Sequence, residues 1–160
     1  MTDSEFMAVA LAEARGAALG ADVPVGAVVV RDGLVIARAA NRTVRDQDAT
    51  AHAEVLAIRE ACRISGSWRL AGCTLFVTLE PCAMCAGAIV LARLDRVVFA
   101  AWDDKAGMSG SVGDLLRHPK LNHRPAVQGG LDADASSALL REFFSARRGG
   151  DFVDTPVAGT

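Results

Sequence analysis

Cys73-Thr74-Leu75-Phe76-Val77-Thr78-Leu79, followed at once by Glu80-Pro81-Cys82-Ala83-Met84-Cys85 and Ala86-Gly87-Ala88-Ile89-Val90-Leu91-Ala92, is the stretch on which the architecture turns. Its first seven residues form a continuous apolar run with β-branched members, as in a strand buried on both faces. The segment 86–92 is apolar nearly all round, so it reads as a helix buried against the sheet or across a subunit interface. Arg96-Val97-Val98-Phe99-Ala100-Ala101 is the next strand. Strand, helix, strand in this order implies a right-handed crossover and parallel pairing, hence an α/β chain.

Upstream, Val23-Pro24-Val25-Gly26-Ala27-Val28-Val29-Val30 and Leu34-Val35-Ile36-Ala37 flank Asp32-Gly33, a hairpin signal, and predict an antiparallel pair. Helical spacing of Phe6, Met7, Ala10, Leu11 and Ala14 predicts a helix over 4–20 that stops at Gly20. A second helix is expected over 51–65, capped by Asp48 or Thr50, with His52 on its first turn. Pro125-Ala126-Val127-Gln128 reads as a short edge strand, and 133–148 as an amphipathic helix carrying Leu139, Leu140, Phe143 and Phe144. The segment 1–148 is expected to be a single domain, and 149–160 a flexible tail.

A length of 160 residues suits one core, and 51% hydrophobic with 22% charged residues describes an ordinary globular chain. No apolar run approaches the roughly 18 residues of a membrane span, and Met1-Thr2-Asp3-Ser4-Glu5 lacks the basic start of a secretory signal. Four cysteines, two of them spaced as metal ligands, favour a reducing compartment, so the cytoplasm is expected. A net charge of -2 carries no global sign of nucleic-acid binding.

His52, Cys82 and Cys85 offer one imidazole and two thiols, the donor set of an open tetrahedral zinc site whose fourth position goes to water. Cys82 and Cys85 are three apart, so at a helix start both face one side, and Pro81 suits the first helical position. The helix dipole there favours thiolates. Glu54, two residues from His52, falls near the metal-bound water without being needed as a ligand, the place for a proton shuttle. The bland alternatives are a structural zinc knuckle, which wants a second Cys pair that the chain lacks, and a core histidine. Cys62 and Cys73 read as small core residues. His-Ala-Glu followed by Pro-Cys-x-x-Cys matches the general signature of zinc-dependent nucleobase deaminases.

The glycine-rich segment 103–124 is too long for a mere connector; it carries Lys105, Arg117, Lys120 and Arg124 and is a candidate binding loop. Together with Val23-Pro24-Val25-Gly26-Ala27-Val28, Asn41-Arg42, Thr50-Ala51-His52-Ala53-Glu54, Thr78-Leu79-Glu80-Pro81-Cys82-Ala83-Met84-Cys85, Asp103-Asp104-Lys105-Ala106-Gly107 and His118-Pro119-Lys120-Leu121-Asn122-His123-Arg124, it resembles the bacterial tRNA-specific adenosine deaminases. That resemblance implies a three-layer α/β/α cytidine-deaminase-like fold with a five-stranded mixed sheet. It further implies a homodimer with one Zn2+ per subunit and no organic cofactor, and hydrolytic conversion of the wobble adenosine of a tRNA anticodon stem-loop to inosine. On this chain it implies His52, Cys82 and Cys85 as zinc ligands, Glu54 as acid and base, Asn41 and Val23 at the nucleoside, and Asp103 at the anticodon backbone. Lys105, Asn122, His123, Phe144 and Arg147 follow as RNA contacts. The rival readings are a free-base or nucleoside deaminase for guanine or cytosine on the same scaffold, and a catalytically silent zinc- or RNA-binding module.

Overall fold

A computed structural model describes residues 1–148; the tail expected at 149–160 lies outside the described residues. The elements run α1 (Asp3–Leu19), β1 (Gly26–Arg31), β2 (Leu34–Ala40), α2 (Ala53–Ser65), β3 (Cys73–Leu79), α3 (Ala83–Ala92), β4 (Arg96–Ala101), β5 (Ala126–Gly129) and α4 (Ala133–Arg148). Thr2 and Glu5 form a capping box at the start of α1, which ends at Gly20. Asp32 and Gly33, with φ of 50° and 73°, make the left-handed two-residue turn that the β1–β2 hairpin requires. Gly66 closes α2 in the left-handed region.

One five-stranded sheet is ordered β2-β1-β3-β4-β5. β1 is antiparallel to both β2 and β3, whereas β3, β4 and β5 are parallel. The sheet is therefore mixed, as the hairpin and the crossover together require. α2 and α3 cover one face, where Ile58, Ile89, Leu75, Val97 and Phe99 form the larger core cluster. α1 covers the other, packing Phe6, Met7, Ala10 and Leu11 on Val28, Phe76 and Val98, with Leu139 of α4 alongside. Gly26 is where α1 crosses the sheet, and a Cβ there would run into the backbone of Ala10 and Ala14.

Several local expectations are corrected. α2 starts at Ala53, not at 51, so His52 is its N-cap and not part of its first turn. Neither Asp48 nor Thr50 caps it; Asp48 Oδ1 instead accepts the Thr50 amide and hydroxyl, closing its own small turn. Pro81 is not the first helical residue of α3, because Cys82 is the N-cap and Cys85 lies in the first turn. β1 begins at Gly26, since Val23 to Val25 turn back on themselves through a Val25 N–H bond to the Val23 carbonyl. α4 buries only Ser136, and Phe144 remains 44% exposed.

Strand direction decides where the chemistry gathers. With β1 antiparallel to its two neighbours, one edge of the sheet holds the start of β1 and the ends of β2, β3 and β4. Val23, Asn41, Leu79 through Cys82, and Asp103 all leave or enter the sheet at that edge.

Candidate metal centre and adjoining cavity

His52 Nδ1 lies 3.6 Å from Cys82 Sγ and 3.5 Å from Cys85 Sγ, and the three donor atoms fall within 4.8 Å of one another. A tetrahedral zinc with the usual bond lengths would separate nitrogen and sulfur by about 3.6 Å, so the residues fit the ion. The fit arises because two helices begin at the same sheet edge and each contributes its N-cap: His52 from α2 and Cys82 from α3. Cys85, one turn into α3, completes the triangle and is buried.

The electrostatics match a cation site. A hydrogen bond from the Cys85 thiol, with help from His52, lowers Cys82 to about 3 against the cost of burial. Donating that proton, and burial, push Cys85 well above the usual thiol range. His52 is raised from 6.5, chiefly by its hydrogen bond to Cys82. Glu54 is 4% exposed, and burial raises it from 4.5 to about 7.

A cavity of about 340 Å³ opens beside this centre. His52, Glu54 and Cys82 line it, and so do Asn41, Val23, Asp103 and Arg147. Asn41 is held by its own amide: Nδ2 donates to the Val23 carbonyl at 3.2 Å, and Oδ1 accepts the Thr43 hydroxyl at 2.8 Å and the Thr43 N–H at 3.4 Å. That leaves one N–H of the Asn41 amide uncommitted. Asp103 Oδ1 accepts the N–H groups of Lys105 and Ala106, so Asp103 folds its own rim turn. Arg147 reaches the cavity from α4 by donating to the Ala21 carbonyl at 2.6 Å, and it stacks on Phe143.

The remaining expected contacts separate. Lys105 is exposed next to the rim, outside the lining. Phe144 packs edge-on to Phe143, away from the cavity lining. Asn122 and His123 sit at the opposite edge of the sheet, where the His123 ring meets the Leu94 carbonyl at 2.6 Å. Parallel pairing forces this: β5 must start beside the start of β4, so 103–124 traverses the whole strand length, about 20 Å for six residues.

Two buried carboxylates at the site were not singled out in the sequence. Asp22 accepts the N–H groups of Val44 and Arg45, fixing the loop after β2. Glu80 accepts donors from the 103–124 loop. The sequence signal for each was slight: an acid just before Val23-Pro24, and an acid between a buried strand and Pro81-Cys82.

Comparison with known proteins gives the same picture. The family model for the cytidine and deoxycytidylate deaminase zinc-binding region matches residues 1–101. The tRNA-specific adenosine deaminase of Bacillus subtilis (strain 168) is 48% identical over 145 residues, 90% of each chain. That of Aquifex aeolicus is 47% identical over 89% of this chain and 94% of the relative. Among solved structures, one from work on A-to-I editing by tRNA:A34 deaminases at the wobble position of transfer RNA superposes with a TM-score of 0.83 at 47% identity. It covers 86% of this chain and 99% of that chain. A guanine deaminase from Nitrosomonas europaea superposes with a TM-score of 0.79 at 27% identity, covering 90% and 85%.

Proposed function

The chain belongs to the zinc-binding cytidine and deoxycytidylate deaminases, and from its likeness to tRNA-specific adenosine deaminases we infer that it converts adenosine to inosine at the wobble position of a tRNA anticodon. The observation that carries this reading is the buried Glu54 carboxylate lining one small cavity with His52 and Cys82, two members of the His52, Cys82 and Cys85 cluster. At about 340 Å³ the cavity is at the small end for ligand pockets and suits one nucleobase with its sugar. A base must therefore leave its stack to enter, which costs less in a single-stranded anticodon loop than in a duplex.

His52, Cys82 and Cys85 would hold zinc, one ion per protomer. When bound, zinc supplies a Lewis acid that makes water nucleophilic near neutral pH. Glu54 takes a proton from the attacking water and delivers it to N1 of the purine, so that C6 accepts the water oxygen. Glu54 then takes the remaining proton from the hydroxyl added at C6 and gives it to the departing amine; the C6–N bond breaks as the C6 carbonyl forms, ammonia leaves, and inosine remains. A carboxyl near 7 is matched to a group that must both accept and release a proton at neutral pH. The free N–H of Asn41 is available to an acceptor on the nucleoside, Val23 forms an apolar wall, and Asp103 with Arg147 borders the entrance. Lys105 beside that rim adds positive charge for the RNA backbone.

A cytoplasmic homodimer of a single-domain chain completes the proposal. Leu91, 70% exposed on an otherwise apolar α3, supports a subunit contact there. Among the described residues no helix is long and apolar enough to cross a membrane. The test is inosine formation on an anticodon stem-loop with adenosine at the wobble position, beside free adenosine, guanine and cytosine, at low and high salt. Inosine in the stem-loop alone, suppressed by salt, is expected; turnover of a free base instead would overturn the substrate.

A further inference from the structure

Glu80 is 1% exposed and sits two residues before Cys82. Its carboxylate is filled with donors from one loop. Oε1 accepts the Asp103 N–H at 3.0 Å and the Ser111 hydroxyl. Oε2 accepts the Ser109 N–H at 2.9 Å and the Ser111 N–H at 3.1 Å. Two backbone bonds run alongside, from the Glu80 N–H to the Ala101 carbonyl and from the Met108 N–H to the Pro81 carbonyl, each 2.8 Å. Gly107 lies against the same carboxylate, and a Cβ there would overlap it. The loop thus wraps an anion supplied by the chain itself, and charge-assisted bonds of this kind are short and directional.

We propose that Glu80 is a positioning residue for deamination: by gathering the amides of Asp103, Ser109 and Ser111 onto a carboxylate joined through Pro81 to Cys82, it fixes the Asp103 rim relative to the metal centre, and with it the path of the nucleotide chain into the cavity. This rests on the deaminase reading. Glu80 lines the cavity with Asp103, yet its acceptor positions are all taken by the loop, so it acts through Asp103 and not on the base.

Glu80→Gln is the selective variant. An amide NH2 in the Oε1 place can donate to the Ser111 hydroxyl, which turns to accept, and only the Asp103 N–H loses its partner; the opposite orientation would leave two N–H groups facing NH2. With zinc content unchanged, KM for the anticodon stem-loop is expected to rise about tenfold, the worth of one such bond, with kcat changing less. Asp103→Ala should abolish that effect, so the two substitutions together cost less than the product of their separate factors. Ser111→Ala, which removes one bond of the four, should shift KM in the same direction and serves if Glu80→Gln does not fold. Amide hydrogen exchange in the zinc-loaded protein without RNA should quicken at residues 103–111 in Glu80→Gln. Unchanged KM, or factors that multiply with Asp103→Ala, or unchanged exchange in an active variant, overturns the positioning role. Wild-type protein that makes no inosine in the stem-loop overturns the deaminase reading and this role together.

Discussion

Replacing Glu54 by Gln separates what the residue does for the reaction from what it costs the fold. The side chain is 4% exposed, and its carboxyl rises from 4.5 to about 7 because burial disfavours the charged form. At about 1.4 kcal/mol per tenfold, that rise corresponds to about 3 kcal/mol against the ionised folded state. Below pH 4.5 Glu54 is protonated both folded and unfolded, and nothing is lost. Between 4.5 and about 7 the folded state binds more protons than the unfolded, so stability falls as pH rises; above 7 the full cost is present. Gln is neutral throughout. In urea unfolding of the metal-free protein, the advantage of Glu54→Gln over wild type should therefore grow by about 2 kcal/mol or more from pH 5 to pH 8, with the cysteine pair common to both. The zinc-loaded variant should keep its metal and lose at least about 10³-fold in kcat, since one group serves every proton transfer. Parallel stability curves for the two proteins would refute the burial argument, and near-normal turnover would refute the proton shuttle.

Zinc titrated into metal-free protein at pH 7 should release at least one proton per ion, because Cys85 is held as a thiol and must ionise to bind; calorimetry in buffers of different ionisation heat reads this, and zero release would contradict the pairing of the two thiols. Gly26→Ala should cost about 2–3 kcal/mol, since the added Cβ meets the backbone of α1 and not a movable side chain. A loss below about 1 kcal/mol in urea unfolding would show that α1 can lift off the sheet freely.

The proximity of His52, Cys82 and Cys85 was legible in sequence because its signals are local. Cys82 and Cys85 share one helix turn, and His52 and Glu54 are two residues apart, so short-range geometry alone aligns each pair. The elements themselves were legible for the same reason: a short β-branched apolar run such as 73–79 fits a buried strand, and Asp32-Gly33 favours a tight turn. Helix starts were less so. Asp48 and Thr50 are good caps by type, yet they bond each other, and His52 takes the N-cap position without a side-chain cap of its own.

Asn122 and His123 mark the limit of motif reading, because adjacency in a loop says nothing about which edge of the sheet a residue reaches; the parallel pairing of β4 and β5 carries them to the far side. Glu80 and Asp22 were opaque for a related reason, since a carboxylate's role depends on which amides from distant segments turn toward it. What the amino-acid order determined by itself was periodicity, turn chemistry and the pairing of His52 with Glu54 and of Cys82 with Cys85, all set by contacts a few residues apart. What only the tertiary structure decided was the antiparallel docking of β1 between β2 and β3, which brings Val23, Asn41, His52, Cys82 and Asp103 to one edge. Strand order depends on which faces bury the most apolar surface together, and that is a property of the whole sheet.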